Sequence, residues 1–550
     1  MKKNRFEKID IIPLSVIIIT LIFLPWFKDA FIGPKVLAGG VLGILLCMFW
    51  GVEKIKLSRF RIPIIVIVIY NAFALLVLGK FRFAGGNYPG LVLIGLIAGI
   101  ISGIKTSKIK QKIHFSLVLS GLIVSIYSVL QYYGISGEFS RFSGTSIPYS
   151  TLGNRNYIAD LLILILPFLI LMVKKEKYKY ISLPGLLVLG WTLVLTRSWR
   201  VLIGILSIAF IYYLICEKRK RKRYKYIFIG ILSIIILLSF INSKSIYKSH
   251  IKPRLHMWSI SWTMIKQKPV TGHGIGTYDY EYPEFQYNYF KTLNKNQYIE
   301  FADLGKSPQR ANNEYIHLIS EQGIIGLILV LWLLIKWFKN IDLKDDFTSA
   351  SVCGVAGVLG TALIGFPLHR PSIILIICII MGITLKPDIN KKNAEFRYSS
   401  VNIILVLLGI FILICKTYSQ ISWYNSIKRF ESKDYNSAEM SAKRAALCSF
   451  VPGEVYFLLG RIYFRQGNFE KSLQSYKISK KTYNNRSLYY NMGLVYIELN
   501  QINRAVKNLE KAVYTTPDFK PAYEMLIKIL TYEKKYDMAE KYEDMLKKIK

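Results

Sequence analysis

Long apolar runs separated by short basic loops recur along the first 419 residues of the chain. A membrane-spanning helix needs about 20 mostly apolar residues, and fewer where flanking lysines reach the headgroups. Thirteen segments meet this criterion, near 11–27, 36–51, 62–79, 89–104, 115–133, 157–173, 181–196, 200–216, 226–242, 322–338, 349–366, 371–385 and 402–419. The adjacent pairs 181–196/200–216 and 349–366/371–385 are compatible with re-entrant hairpins as well as full spans. The pattern predicts an all-α, polytopic helical bundle with about twelve core spans and one linking span.

The formal charge of +39 comes largely from lysines and arginines in the short loops between apolar segments. This distribution is typical of orientation signals on the cytoplasmic side of a membrane, so no nucleic-acid partner is expected. Basic runs such as 217–225 occupy alternate loops and predict a cytoplasmic N-terminus. Thirteen spans then put everything after Ser419 on the outer side. A miscount of one span would move this tail into the cytoplasm.

The chain lacks the sequence motifs typical of nucleotide- and metal-dependent enzymes. The chain has no P-loop, dinucleotide fingerprint or HExxH motif, and five of its six cysteines lie in apolar segments. We therefore expect no nucleotide, metal or other cofactor. The spans are nearly free of Asp and Glu, whereas a secondary transporter would be expected to carry polar groups inside its spans.

A period of about 34 residues appears after residue 419. Gly460, Tyr463 and Gly467 recur as Gly493, Tyr496 and Asn500. Further units begin near residues 435 and 522, and the small residues suit the close approach of paired helices. This pattern resembles tetratricopeptide repeats and predicts an α-solenoid over residues 420–550. Such a solenoid offers a face for a protein partner or serves as a rigid spacer.

Polar residues collect where the spans are predicted to reach the outer surface. Arg141 and Asn154 precede one apolar segment, and Arg197 and Arg200 occupy the short turn LTRSWR. The large outer loop, 242–321, adds Arg254 and Arg310. Several guanidiniums at this depth suit a lipid-linked diphosphate, because arginine keeps its charge and donates in a planar fork.

Four motifs in order carry a more specific resemblance. They are RFSGT…GNRN, LTRSWR, RLHMWSISWTMIKQKPVTGHGIGTYDYEYPEFQ and ANNEYIHLISEQGIIGLI. Together they resemble the O-antigen ligase/polymerase superfamily of bacterial multi-span glycosyltransferases. The resemblance implies metal-independent transfer of a glycan from an undecaprenyl-diphosphate carrier to a glycan, lipid or protein acceptor. The implied location is the outer face of a bacterial cytoplasmic membrane, among the membrane lipids.

The same resemblance divides the chain into four parts. They are N-terminal helices at 1–140, a ligase-like core at 141–400 with the large loop 242–321, a linking helix at 401–419, and the repeats at 420–550.

The resemblance also assigns roles to individual residues. Arg254 corresponds to the family arginine ahead of a tryptophan and would hold the diphosphate. The family commonly has Ser-Arg in the short outer turn, whereas here Trp199 follows Ser198, so either Arg197 or Arg200 would take that place, with a slight preference for Arg197. Arg141, Arg310, Asn154 and His273 complete the expected substrate-binding set.

The main departure from the family concerns Asn312. The usual His-Asn pair is replaced by Asn312-Asn313, ahead of Gly323 and Gly326 in register. Asparagine accepts no proton at neutral pH, although it can orient a hydroxyl. His317, four residues after Asn313 and four before Glu321, would share their helix face and is the alternative base. We therefore expect His317, Asn312 and Asn313 on the acceptor side, with His273 as a second candidate base. His256 and His369 are expected at the membrane interface.

The loop is also rich in tyrosine between residues 278 and 290, which would stack on sugars or lie at headgroup level.

Three functions remain open from the sequence. A ligase would move a finished glycan to a different acceptor, and a polymerase would join repeat units on the carrier. A non-catalytic assembly protein would recruit a partner through its repeats.

Overall fold

A computed structural model describes residues 10–22, 34–42, 107–135, 148–218, 251–302, 304, 308, 310–386, 399–448 and 452–548. Within these ranges the regular elements are helices, and one isolated bridge joins Ile341 to Leu385. The predicted all-α class is confirmed.

Five helices are long and apolar enough to cross a membrane. They are Lys108–Tyr132, Arg155–Val173, Glu176–Leu195, Glu314–Lys339 and Asp346–Ile364. Three shorter apolar helices cover Ile11–Leu21, Arg200–Ile215 and Pro371–Thr384. The predicted spans at 62–79, 89–104 and 226–242 lie outside the described residues, as does most of 36–51. The number of thirteen spans stays a prediction.

Glycines let the central helices of the bundle approach closely. Gly204 lies against Ile163 and Thr361, and Gly357 lies against Ile163 and Ile208, with no room for a Cβ. Small residues at such crossings favour tight helix packing in membranes. There the hydrophobic effect does not drive helices together, so association depends on close van der Waals contact between backbones. The contacts join the helices Arg155–Val173, Arg200–Lys218 and Asp346–Thr361 into one unit. The end of this unit next to the loop 242–321 carries the candidate site.

Backbone hydrogen bonds join two glycine-containing segments, 269–274 and 320–325. The helix Glu314–Lys339 is interrupted at Gly323, whose φ of 64° is left-handed. The interruption leaves backbone groups available, and Ile324 N–H donates to the Pro269 carbonyl at 2.9 Å. In return, Gly274 N–H donates to the Glu321 carbonyl at 2.8 Å. Glycine is needed at 323 because a Cβ there would collide with the Val270 carbonyl.

The C-terminal region forms paired helices. Following the long helix Ser399–Glu431, they cover Tyr435–Leu447, Pro452–Arg465, Phe469–Lys480, Arg486–Glu498, Ile502–Thr515, Lys520–Tyr532 and Tyr536–Lys548. Gly460 packs against Tyr476 and Gly493 packs against Leu509, as expected of small residues at the close approach of paired helices. The linking span predicted at 402–419 lies within Ser399–Glu431.

Three helices of the outer loop cover Lys252–Gln267, Tyr278–Thr292 and Lys295–Ala302. We call the second one the aromatic helix. Its Tyr278, Tyr282 and Phe290 are at most 1% exposed, so they form protein core. These three side chains are neither a sugar-stacking surface nor residues at headgroup level, contrary to both sequence-based interpretations. The aromatic helix packs against the repeats, with which Phe290 shares an apolar cluster.

Candidate active site

Three arginines converge on one aromatic ring at the outer end of the bundle. The guanidinium carbons of Arg370, Arg310 and Arg200 lie 4.7, 5.1 and 5.5 Å from the centre of Phe366. Phe366 belongs to the short connection between two apolar helices, so the arginines come from three separate parts of the sequence. An aromatic face stabilises cations at such distances. The Phe366 ring therefore holds the three guanidinium groups close to one another.

Arg200 forms an ion pair with an acidic residue inside the helical bundle. Its Nη1 donates to Asp160 Oδ2 at 2.9 Å, and the two side chains are 4% and 0% exposed. Gly365 packs directly on the guanidinium, where a Cβ would collide. Asp160 and Glu314 offset two positive charges, and the four arginines Arg200, Arg254, Arg310 and Arg370 still leave a net positive site. Such a concentration of like charge is favourable only near an anion.

Arg254 adds a fourth guanidinium to this region. Burial and the nearby charge of Arg200 lower the pKa of Arg254, which is half-buried on the helix Lys252–Gln267. Trp258 of the same helix donates its indole N–H to the Ala311 carbonyl at 2.9 Å. This bond fixes the helix beside the segment that carries Arg310 and Asn312.

Two histidines and two carboxylates lie beside the arginines. His369 Nδ1 is 2.6 Å from Glu314 Oε1, and His317 Nε2 is 3.4 Å from Glu321 Oε1. The two imidazole rings meet edge to face at 4.6 Å between centroids. His317 and Glu321 therefore share a helix face as the four-residue spacing predicts. His317 is 5% exposed and also contacts the Tyr278 ring at 4.8 Å.

His369 has the more accessible imidazole, with 20% of its side chain exposed. Burial and the charges of Arg310 and Arg370 lower the pKa of His369 well below its usual value. The ring is therefore neutral at neutral pH. In the tautomer that carries its proton on Nδ1 and donates it to Glu314, Nε2 has a lone pair that can accept a proton.

The two asparagines shape the chain around these groups. Asn313 caps the helix Glu314–Lys339, since its Oδ1 accepts from Tyr315 N and Ile316 N at 3.0 Å. Asn312 has a left-handed φ of 50°, a conformation that asparagine tolerates better than most residues. Its Nδ2 approaches Met257 Sδ at 3.8 Å. These contacts make Asn313 a helix cap next to the cluster.

The remaining predicted site residues are distributed unevenly. Arg197 is exposed, with a φ of 46°, and lies outside the buried pair that Arg200 forms with Asp160. Asn154 caps the helix Arg155–Val173 by accepting from Asn156 N at 2.8 Å. His273 is buried, with Nε2 3.0 Å from the Met264 carbonyl. Arg141 lies outside the described residues.

Four members of the cluster were not among the predicted site residues, namely Asp160, Glu314, His369 and Arg370. Three of them carried a usable signal. Asp160 is an acidic residue inside an apolar segment, and His369-Arg370 is a basic pair in the four-residue connection between two such segments. His256, like His369 expected at the interface, is instead buried among aromatic rings of the loop, stacked on Phe301 at 5.4 Å between centroids. Among the described residues, no three His, Cys, Asp or Glu side chains group as metal ligands.

Comparison with known proteins identifies two regions of the chain. Residues 184–331 match the family described as O-Antigen ligase, and residues 453–477 and 487–519 match Tetratricopeptide repeat. The ligase match contains Arg200, Arg254, Arg310 and His317 and ends before His369. No curated protein matches the chain.

Solved structures give weak similarities. "Crystal structure of MamA" is 19% identical, covers 30% of this chain and 96% of its own, and has a TM-score of 0.23. "Crystal structure of APC/C hetero-tetramer Cut9-Hcn1" is 10% identical, covers 93% of this chain and 84% of its own, and has a TM-score of 0.20. Scores this low carry no structural conclusion. The chain therefore contains an O-antigen ligase domain and C-terminal tetratricopeptide repeats, and its apolar helices make it a multi-pass membrane protein.

Proposed function

We propose that this protein transfers an oligosaccharide from an undecaprenyl-diphosphate carrier to an acceptor hydroxyl at the outer face of a bacterial cytoplasmic membrane. The observation that carries the proposal is the convergence of Arg200, Arg310 and Arg370 on Phe366, next to the Glu314–His369 pair. A polyanion fits the arginines, and a hydroxyl nucleophile fits the imidazole.

The arginines would bind the diphosphate of the donor. Diphosphate oxygens accept the paired N–H groups of guanidinium, and the charge that develops on the leaving group is stabilised by the same contacts. Arg254 lies close enough to Arg200 to take part. The position of the cluster at the outer end of apolar helices suits a carrier whose lipid chain stays in the bilayer.

His369 would act as general base toward the acceptor. In this step the acceptor hydroxyl oxygen forms a bond to the anomeric carbon while the bond from that carbon to the diphosphate oxygen breaks. The electron pair leaves with the diphosphate, the hydroxyl proton passes to His369 Nε2, and the sugar configuration inverts. Because diphosphate is a good leaving group, we expect the base to contribute about 10²–10⁴ of the rate.

His317 and the asparagines would support the acceptor side. His317 packs edge to face against the His369 ring and would keep its orientation together with Glu314. Asn312 stands where the family usually has histidine, and His369 would take over the proton transfer that asparagine cannot perform. Asn313 would fix the start of the helix on which Glu314 and His317 lie.

The outer loop and the repeats are in direct contact, so they lie on the same side of the membrane. Helices Glu314–Lys339, Asp346–Thr361, Pro371–Thr384 and Ser399–Glu431 follow one another between them. If each of these four helices crosses the membrane, the chain returns to the side on which it started, in agreement with this contact. The basic alternate loops of the sequence would make that side extracytoplasmic, and a reporter active only outside the cytoplasm, fused after Lys550, would test it.

The decisive assay uses purified protein with an undecaprenyl-diphosphate glycan and candidate acceptors, followed by mass analysis of the products. We expect one glycan added per acceptor and release of undecaprenyl diphosphate. A triple Arg200, Arg310 and Arg370 to Gln variant should abolish release. If wild-type protein releases no diphosphate carrier with any acceptor offered, the transferase proposal fails.

A polymerase is the second candidate function, and the replacement of the usual histidine by Asn312 favours it. In that case the acceptor is another carrier-linked repeat unit, and products would form a ladder of increasing length. A ligase would give a single addition to a different acceptor. If Arg254→Ala and His317→Ala left transfer intact while removal of residues 420–550 abolished it, a non-catalytic assembly role would replace both.

A further inference from the structure

The repeats bind a segment of their own chain through several polar contacts. Gln286 Nε2 of the aromatic helix donates to the Thr515 carbonyl at 2.5 Å. Asn484 Nδ2, in the connection between two repeat helices, donates to the Tyr280 carbonyl at 3.0 Å. The Tyr298 hydroxyl, in the next loop helix, shares a hydrogen bond of 2.5 Å with the Tyr523 hydroxyl.

A charged contact lies at the centre of this surface. Glu284 of the aromatic helix accepts from Lys511 Nζ at 2.8 Å and from the Tyr489 hydroxyl at 2.9 Å. Burial alone would raise the pKa of Glu284, but the bonds from Lys511 and Tyr489 outweigh it and lower the pKa. The carboxylate therefore stays charged in contact with Lys511. The Lys511 ammonium also lies 5.0 Å from the Tyr287 ring.

Apolar packing surrounds these bonds. Phe290, Tyr298 and Ala302 of the loop are at most 2% exposed. They belong to the same hydrophobic cluster as Val513, Tyr523 and other buried residues of the repeats. Residues on both sides of the contact thus form one core, which is the arrangement of a permanent interface and not of a transient one.

The opposite end of the aromatic helix touches the candidate active site. Tyr278 N–H donates to Glu321 Oε1 at 3.1 Å, and the Tyr278 ring lies 4.8 Å from the His317 ring. The helix has 15 residues and is about 22 Å long at 1.5 Å per residue. One continuous helix, with Pro283 inside it, therefore connects the repeats to the histidine cluster, and a shift of its contact with the repeats can reach Tyr278 at the site.

We propose that the repeats act as an intramolecular clamp on the aromatic helix and thereby position the acceptor side of the active site. The partner of the repeat surface formed by Tyr489, Lys511 and Tyr523 is the outer loop of the same chain. Glu284 and Lys511 are positioning residues, since they act through Tyr278, His317 and Glu321. The proposal rests on the transfer activity proposed above.

Charge exchange across the contact tests the clamp. Glu284→Lys and Lys511→Glu should each lower kcat at least tenfold, because each puts like charges together at the docking surface. The KM for the donor should stay within about threefold, since the arginine cluster is untouched. The double variant restores an opposite pair and should recover most of the wild-type kcat. Arg504→Glu is the matched control, because this exposed residue lies on the same repeat helix and bonds to Gln501.

Hydrogen exchange of residues 278–302 provides a readout independent of activity. Exchange should rise in both single variants and return toward the wild-type level in the double variant. Faster exchange with unchanged kcat would overturn the positioning role, and unchanged exchange in the single variants would overturn the clamp itself. If wild-type protein shows no transfer, the proposed function fails, whereas the exchange measurements still decide whether the loop is clamped.

Discussion

Arg200 has Asp160 on one side and Phe366 on the other. The ion pair fixes the guanidinium inside the bundle, and the aromatic ring orients it toward Arg310 and Arg370. Because Asp160 and Glu314 offset only two of the four arginine charges, the site attracts an anion while each arginine keeps a fixed direction. The geometry of the guanidinium therefore matters as much as its charge.

Replacement of Arg200 by lysine should separate these two contributions. Arg200→Lys keeps the charge and loses the planar fork, so we expect the donor KM to rise or kcat/KM to fall by about 10–100-fold. Arg197→Lys is the matched comparison in the same turn, and it should leave both constants within about twofold. Steady-state transfer assays with varied donor give the constants. The reverse pattern would move the diphosphate contact to Arg197.

A second residue-scale prediction concerns the pH dependence of transfer. A general base must be neutral to accept a proton, and the pKa of His369 is lowered well below 6.5 by burial, Arg310 and Arg370. The rate should therefore stay level as the pH falls through 6.5 and decline only at lower pH. His369→Gln should lower kcat by about 10²–10⁴ and remove this acid limb. An unchanged profile in the variant would exclude His369 as the base.

The element on which the site depends most is the interrupted helix Glu314–Lys339. Its break at Gly323 allows the backbone of Pro269–Gly274 to bond to the turn between Ser320 and Ile325. His317 and Glu321 lie just before the break, and Lys336 lies well past it. Gly323 thus both interrupts an apolar helix and leaves room for the loop segment that packs beside the site.

Gly323→Ala should destabilise the protein by at least about 2 kcal/mol, because alanine is strained at a positive φ and its Cβ meets the Val270 carbonyl. Thermal unfolding of the detergent-solubilised protein would measure the loss. Gly190→Ala is a suitable control, since a Cβ there meets nothing within 4 Å. Alanine is also the better helix former, so that variant should be neutral or slightly stabilised. Equal stability of both variants would contradict the role given to the break.

At the scale of the whole molecule, membrane bundle, outer loop and repeats depend on one another through the loop helices. His256 reports on this dependence, because its ring lies among Tyr289, Phe290 and Phe301. Burial and the charge of Lys252, which is itself paired with Glu300, lower the pKa of His256 to about 4.

Acidification should therefore loosen the loop. Below pH 6.5 the unfolded chain takes up a proton that the folded loop excludes, so stability falls as the pH drops toward 4 and is unaffected above 7. The expected loss is about 2 kcal/mol at pH 5. His256→Phe keeps the packing and removes the titration, so its thermal midpoint should fall less between pH 7.5 and pH 5. An identical fall in the variant would assign the acid effect to other groups.

Sequence patterns predict the features that depend on neighbouring residues, but not the contacts between residues far apart in the sequence. Apolar runs, the 34-residue period and the His317–Glu321 spacing are local. Among the described residues they appear as five helices long enough to cross a membrane, as paired repeat helices and as a contact between His317 and Glu321. The pairing of His369 with Glu314 joins residues 55 positions apart, and neither residue alone distinguishes a site from a membrane flank. Choosing Arg200 over Arg197 likewise required Asp160, which lies in another helix. The burial of Tyr298 depended on the repeats, where its partner Tyr523 lies 225 positions away.

That separation has a consequence for how the protein is made. Gln286 can form its hydrogen bond only after Thr515 has been synthesised, 229 residues further along the chain. The ribosome synthesises the loop long before the repeats, so Phe290 and Tyr298 lack their packing partners until the last repeats are made. A prematurely terminated chain would contain every arginine of the site and still lack the clamp that aligns it. If the clamp positions the site as proposed, transfer activity requires the completed repeats, and truncated products are left with exposed apolar surface that proteases can recognise.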